Sequence, residues 1–420
     1  MNVLTGKRLL VLGGAYQHRK IVLAARKLGV ITFVTDYLDI QDSPAKQIAD
    51  FPLNCNIFDV DGLAEICAQY HIDGVIGPYL DVSQHPYQEL CERLGYHCFG
   101  SREQHRVLTD KALFRDFCLA HGADIIPSYS EREIISSIDI DWPVLVKPSD
   151  SRGSRGQSIC YSRQEAEAGI ASARAESKSG RILIEKYMGC KNDIQLVYIV
   201  IDGYPVLYKI EDRYTGAGIP GLETLCIATI TPSKHREAFM NKADKQVRDM
   251  IRALKLKNAP VFIQAFMDGD KARLYDPGLR MPGDDYDCGY VSAAGVDIPE
   301  MFIRFALTGK FFADDELHAK IAPCDDKYIA MLLPCLKPGK IAAITGIQEI
   351  AEWPEVVSFT VSHREGETVG SYNDVRQRLG EFVIVCDDAD SLRQTAHRLF
   401  STLEVRSDSG EDMLTAKFYA

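Results

Sequence analysis

Apolar positions along this chain follow two alternating rhythms. In the first hundred residues, short apolar runs at 8–13, 30–35 and 74–77 are separated by stretches at 18–28, 62–70 and 83–94, where apolar residues recur every three or four positions. The first rhythm predicts strands and the second predicts amphipathic helices. Gly29 and Gly95 end two of those helices. Strands alternating with helices predict a parallel sheet covered on both faces. Ligands collect beyond the carboxyl ends of such strands, which is where Gly13-Gly14 and Asp36 fall. These glycines do not complete G-x-G-x-x-G, so a dinucleotide site is poorly supported. A tight turn with a capping carboxylate is an equal reading.

Beyond a boundary near 100–106 the rhythm changes. Residues 110–118 predict a helix with Leu113, Phe114 and Phe117 on its apolar side. Lys111 lies in its first turn, where the helix dipole disfavours a cation unless an anion also binds there. A solvated surface lysine is the alternative. Strands predicted at 142–147 and 181–184 enclose a polar loop and a helix over 163–177, a compact α+β unit suited to act as a lid. Hairpins are predicted across Asp202-Gly203 and Asp268-Gly269, with one long amphipathic helix over 233–254 between them. The last ninety or so residues hold short strands and a helix at 391–399, enough for a small closing domain.

The most informative stretch is Trp142-Pro-Val-Leu-Val-Lys147-Pro-Ser-Asp-Ser151-Arg152-Gly153-Ser154-Arg155-Gly156. An apolar strand delivers Lys147 to its end, Pro148 stops it, and a loop of small residues with two arginines follows. Small residues let backbone N–H groups close over an anion without obstruction, and the cations add charge where phosphate oxygens would lie. No G-x-x-x-x-G-K-[ST] occurs in the chain. Further on, 182–188 reads as a strand running into an extended link, Glu185-Lys186-Tyr187-Met188. Extended backbone there can present a C=O and an N–H to the edge of adenine, with Glu185 accepting from its amino group. Gln264 and Asp276 close two strands with oxygen-bearing side chains of the kind a magnesium site needs, and Arg280 follows at once.

Composition narrows the partners. The 420 residues are 46% hydrophobic and 25% charged, ordinary for a globular protein of two to four domains. A net charge of −11 argues against nucleic acid or an anionic membrane as the main partner, and no apolar run is long enough to span a bilayer. The twelve cysteines are scattered singly, without C-x-x-C or zinc spacing, as expected of reduced thiols in a cytoplasmic protein.

Taken together, Asp110-Lys111, the 147–156 loop and Glu185-Lys186-Tyr187 resemble the ATP-grasp superfamily of carboxylate–amine ligases, with the loop similar to that of dipeptide-type ligases. The resemblance implies an α/β and α+β architecture: a Rossmann-like domain over 1–105, a two-lobed ATP-grasp domain over 106–324 with its lid lobe at about 141–190, and a small α+β closing domain over 325–420. It implies ATP and Mg2+ as cofactors, small-molecule carboxylate and amine substrates, and a possible homodimer. It further implies that Lys111 and Lys147 bind ATP phosphates, that Ser151, Gly153, Ser154 and Gly156 belong to the closing loop, and that Glu185, Lys186 and Met188 frame adenine. Gln264 and Asp276 take the metal positions, and Arg280, with Lys147, has the catalytic role of steadying an acyl phosphate.

The chain departs from the family pattern at the metal. Gln264 stands where a glutamate is usual, Asp276 where a second glutamate is usual, and Gly278 where an asparagine is usual. Asp284, Asp285 and Asp287 are possible substitutes. The ribose-contacting acid is ambiguous between positions near Lys191 and Asp193, and Arg213 is either a partner for a substrate carboxylate or a surface residue. The implied reaction is ATP-dependent formation of a carbon–nitrogen bond through an acyl phosphate. The rival readings are an ATP-binding protein with a sensing or scaffold role, and a carboxylase-type ATP-grasp component.

Overall fold

The computed structural model describes residues 3–136, 139–150, 155–283, 297–312, 326–372 and 374–418. The chain opens as the apolar rhythm predicts. Strands β1 (Arg8–Leu12), β2 (Ile31–Asp36), β3 (Phe51–Asn54) and β4 (Gly74–Ile76) form a parallel sheet in the order β3-β2-β1-β4. Helices α1 (Arg19–Lys27), α2 (Val60–Gln69) and α3 (Asp81–Leu94) connect and flank it. Strand β3 was not legible, because Pro52 interrupts its pattern. A proline is tolerated there because β3 is an edge strand.

Two short helices, α4 (Arg102–Val107) and α5 (Lys111–Ala120), lead into the next lobe, and α6 (Glu131–Ser136) opens the lid. The lid is a three-stranded antiparallel sheet, β6-β5-β7, built from β5 (Val144–Pro148), β6 (Ser158–Cys160) and β7 (Ile182–Lys186). Helix α7 (Arg163–Glu176) covers it. Val144, Val146, Ala166, Ala173 and Ile184 give the lid a core of its own.

The remaining strands form one eight-stranded sheet. Its members are β8 (Asp193–Ile201), β9 (Tyr204–Thr215), β10 (Cys226–Thr231), β11 (Ala259–Asp268), β12 (Lys271–Gly278), β13 (Tyr328–Leu332), β16 (Val356–Val361) and β18 (Gly380–Cys386), in the order β12-β11-β8-β9-β10-β13-β18-β16. The short strands β14 (Cys335–Leu336), β15 (Gly339–Thr345), β17 (Thr368–Val369), β19 (Glu404–Ser407) and β20 (Leu414–Ala416) complete the C-terminal segment. Strand β13 pairs directly with β10, so this sheet runs from the second lobe into the C-terminal segment without interruption.

The single helix expected over 233–254 is two: α8 (Arg236–Lys242) and α9 (Asp244–Ala253). The break at Ala243 places Asp244 against the buried hydroxyl of Tyr198, which donates to it at 2.7 Å. Among the described residues, no helix is long and apolar enough to cross a membrane.

Candidate nucleotide cleft

Lys111 is the first residue of α5. Asp110 caps that helix, accepting from the N–H groups of Ala112 and Leu113 at 2.9 and 3.1 Å. The Lys111 N–H donates to the carbonyl of Ser149, just after β5, which fixes the helix start against the end of that strand. The Lys111 ammonium, unfavourable beside the helix dipole alone, sits 2.9 Å from Asp276 Oδ1 on β12.

Lys147 approaches the same place from the lid. On β5 and β7 it lies diagonally across from Glu185, and its ammonium is 2.5 Å from Glu185 Oε2, with both side chains almost fully buried. It also stands over the Tyr275 ring at 5.4 Å from the centroid. Tyr275 precedes Asp276, so the two lysines reach adjacent residues of β12, one from α5 and one from the lid, although about 165 residues separate Lys111 from Asp276. Ser149 lies between the lysines, with a buried hydroxyl that has no hydrogen-bond partner among the described residues.

The floor is set by sheet register. Asp276 pairs with Gln264, Gln264 with Gln195, and Gln195 with Glu211. Directly opposed residues in antiparallel strands point to one face, so a polar row crosses β12, β11, β8 and β9. Gln195 Nε2 donates to Glu211 Oε2 at 2.9 Å, and Lys209 lies 2.9 Å from Glu211 Oε1. Alternation within 209–213 could have revealed Lys209 and Glu211 in the sequence, but their pairing depends on register. Asp193 is also in this floor, held by Arg213 at 2.6 Å and by the Tyr275 hydroxyl at 2.9 Å. Burial pushes the Asp193 carboxyl up and the tyrosine hydroxyl well up, with Arg213 opposing the shift on Asp193. Arg213 is therefore a half-buried partner of Asp193 and not a free surface residue.

Other predicted residues are placed apart from this centre. Lys186 pairs with Asp141 on the outside of the lid. Met188 is half-buried in the link after β7, beside Tyr187, whose N–H donates to the Pro143 carbonyl at 3.0 Å. Gly156 has φ +67°, and a Cβ there would lie 2.9 Å from Glu176 Cβ, so the loop end needs glycine. Ser151, Gly153, Ser154, Asp284, Asp285 and Asp287 lie outside the described residues. Arg280 is buried against the first domain. Its guanidinium grips both oxygens of Asp81, at the start of α3, and donates to the Met281 carbonyl at 2.8 Å.

The carboxyl edge of the first sheet is closed. Lys46, fully buried, lies 3.1 Å from Asp36 Oδ1 and donates to Asn54 Oδ1 at 2.7 Å, and Ser43 donates to Asp36 Oδ2 at 2.7 Å. Asp36 is thus a structural cap, the second of the two readings offered by the sequence. His18 sits beneath Gly13 with neither ring nitrogen hydrogen-bonded among the described residues. Its burial holds the imidazole down to about 4.

Comparisons with known proteins bear on the fold. Residues 110–205 match the family model of the carbamoyl-phosphate synthase L chain ATP binding domain, and residues 331–408 match L-amino acid ligase C-terminal domain 2. The formate-dependent phosphoribosylglycinamide formyltransferase of Haloquadratum walsbyi is 27% identical over 46% of this chain and 49% of its own length. The match thus spans about half of that relative. The Sulfurisphaera tokodaii protein of the same description is 24% identical over 71% of this chain and 75% of its own. The crystal structure of L-amino acid ligase from Bacillus licheniformis superposes with a TM-score of 0.80, covering 96% of this chain and 99% of that one at 16% identity. With two lobes, a lid carrying Lys147 and a sheet floor carrying Asp276, the chain shares the fold of that L-amino acid ligase.

Proposed function

We propose that this protein is an ATP-dependent carbon–nitrogen ligase, joining a carboxylate to an amine through an acyl phosphate and releasing ADP and phosphate. One observation carries the reading: Lys111 from α5 meets Asp276 of β12, and Lys147 from the lid stands over the adjacent Tyr275, although they lie far apart in sequence. Two cations aimed at one cleft suit a polyphosphate, whose transfer depends on positioning and charge stabilisation.

In this reading each lysine is held in place by a carboxylate until the nucleotide enters. Lys111 turns from Asp276, and Lys147 from Glu185, to phosphate oxygens. Glu185 is then free to accept from the adenine amino group, beside Met188. Gln264 and Asp276, opposed on adjacent strands, give one amide oxygen and one carboxylate. This suits magnesium, which takes one or two protein carboxylates and fills its shell with phosphate and water oxygens. When bound, that ion would supply further positive charge to the transferring group.

The substrate carboxylate attacks the γ-phosphorus, the bond to the bridging oxygen breaks, and ADP leaves. The amine then attacks the acyl carbon, phosphate departs, and the amine proton is lost. Arg280, beside the floor, steadies the acyl phosphate once it exchanges Asp81 for phosphate oxygens. The 151–156 loop keeps water from the mixed anhydride.

The test is phosphate release from ATP and magnesium across a panel of carboxylates and amino acids. The reading expects release that depends on one carboxylate–amine pair, with the amide found by mass spectrometry. ATP binding with no stimulated release from any pair would replace it by the sensing role, and strict dependence on bicarbonate by the carboxylase role.

A further inference from the structure

Buried polar groups of a folded chain are ordinarily hydrogen-bonded, and an orphan calls for an explanation. Ser149 is fully buried, and its hydroxyl has no hydrogen-bond partner among the described residues. Its backbone, by contrast, is satisfied on both sides. The N–H donates to the Arg181 carbonyl at 3.0 Å, extending the pairing of β5 with β7 by one step. The carbonyl accepts the Lys111 N–H at 3.1 Å. The next residue is pinned as well: Asp150 accepts from the Ser177 hydroxyl and the Ser179 N–H, each at 2.8 Å. Ser149 thus combines a fixed backbone with an unsatisfied hydroxyl.

Strand alternation tells which way that hydroxyl faces. Successive side chains of an extended strand take opposite faces. Val144 and Val146 belong to the lid core under α7, and a Cβ on Gly169 of α7 would lie 3.5 Å from Val146 Cβ. Lys147, and Ser149 two positions on, take the other face. There the Lys147 ammonium stands over Tyr275 of β12. The Ser149 carbonyl meets the first residue of α5, whose ammonium reaches Asp276. The hydroxyl is therefore rooted between the two segments that carry the lysines, on the lysine face of the lid strand. Each lysine has a carboxylate partner, and the hydroxyl has none among the described residues.

We propose that Ser149 is a nucleotide-binding residue whose hydroxyl donates to a phosphate oxygen of bound ADP or ATP. The inference rests on the ATP-dependent reading above and adds a contact that neither lysine supplies. Each lysine must leave a carboxylate and reorder a long, flexible side chain, whereas Ser149 offers a short donor on backbone already in place. The unliganded chain bears the penalty of a buried hydroxyl without a partner, and the phosphate relieves it.

The test is Ser149→Ala in the full chain, read by thermal unfolding without nucleotide and by calorimetric titration with ADP and magnesium. Removing an orphaned hydroxyl should raise the unliganded midpoint by about 1–3 °C. Losing a hydrogen bond to a charged phosphate should weaken ADP binding about ten- to a hundredfold. The opposite signs are the signature, because a hydroxyl that serves only the fold lowers stability when removed and leaves affinity unchanged. Ser149→Cys, close in size and a weaker donor, should show an intermediate affinity and guards against an alanine variant that fails to fold. ADP affinity within about twofold of the unaltered chain in both variants, or an unliganded midpoint lowered by Ser149→Ala, overturns this inference alone. Absence of ADP binding by the unaltered chain overturns the nucleotide reading, and this contact with it.

Discussion

Lys147→Met is expected to weaken the fold as well as nucleotide binding, and the size of the effect follows from burial. The Lys147 and Glu185 side chains are 3% and 4% exposed and 2.5 Å apart. Removing the ammonium strands a carboxylate in the lid, which costs about 3–5 kcal/mol when one partner of a buried pair is lost. Replacing both partners by apolar groups of similar volume is often neutral. Lys147→Met combined with Glu185→Leu should therefore recover most of the loss, and the cycle of single and double variants should show a coupling of at least about 2 kcal/mol. The two tryptophans offer a reporter: Trp142 packs on the lid core, and Trp353 lies in the C-terminal segment. Urea unfolding followed by Trp142 fluorescence, in a Trp353→Phe background, reads the lid itself. Additive single effects, or a Lys147→Met cost below about 1 kcal/mol, would refute a pair that holds the lid together. The double variant also separates stability from binding. It should fold, yet show no thermal stabilisation by ADP; retained stabilisation would remove Lys147 from the phosphate site.

Three further outcomes are expected. His18 is ordinary in the unfolded chain, near 6.5, and about 4 when folded, so its contribution to stability is full above pH 6.5 and is lost as pH falls toward 4, by about 3 kcal/mol in all. His18→Phe should flatten urea midpoints across that window, and an unchanged slope would contradict the assignment. Gln264→Glu adds a carboxylate opposite Asp276 and should lower the magnesium concentration needed for ADP-induced stabilisation several-fold, at a small cost to stability without metal. Arg280→Ala should leave ADP binding within about twofold and reduce amide yield by at least about a hundredfold, as expected for a lost charge contact in the transition state. Normal yield would free Arg280 from the role proposed for it.

The parallel sheet, both hairpins and the lid were readable because each rests on local periodicity. Lys111 and Lys147 stood out because a helix start and a strand end are unusual places for cations, and the structure pairs them with Asp276 and Glu185. What the sequence concealed depends on register or on contacts between distant segments. Glu185 reads as an adenine ligand from its place after an apolar strand, yet its present partner is Lys147, two residues off the direct pairing between β5 and β7. Arg213 reads as a surface arginine until β9 is laid beside β8, which turns it onto Asp193. Arg280 follows a strand end, and nothing local announces that Asp81, 199 positions earlier, will hold it. Similarly, the periodicity of 233–254 runs through Ala243, and the contact of Asp244 with the buried Tyr198 hydroxyl at the break joins segments far apart in sequence.

The bond ladder between β10 and β13 bears on how this protein can be cut and recombined. Ala228, Thr229, Ile230 and Thr231 are matched to Leu332, Met331, Ala330 and Ile329, four rungs directly across the apparent join near residue 325. A fragment ending at that join would bare a buried apolar strand with open N–H and C=O groups, an invitation to pair with another copy. Chimeras that exchange the C-terminal segment would therefore precipitate unless β10 were transplanted with it. The lid, closed on its own small core, is the natural unit for exchange.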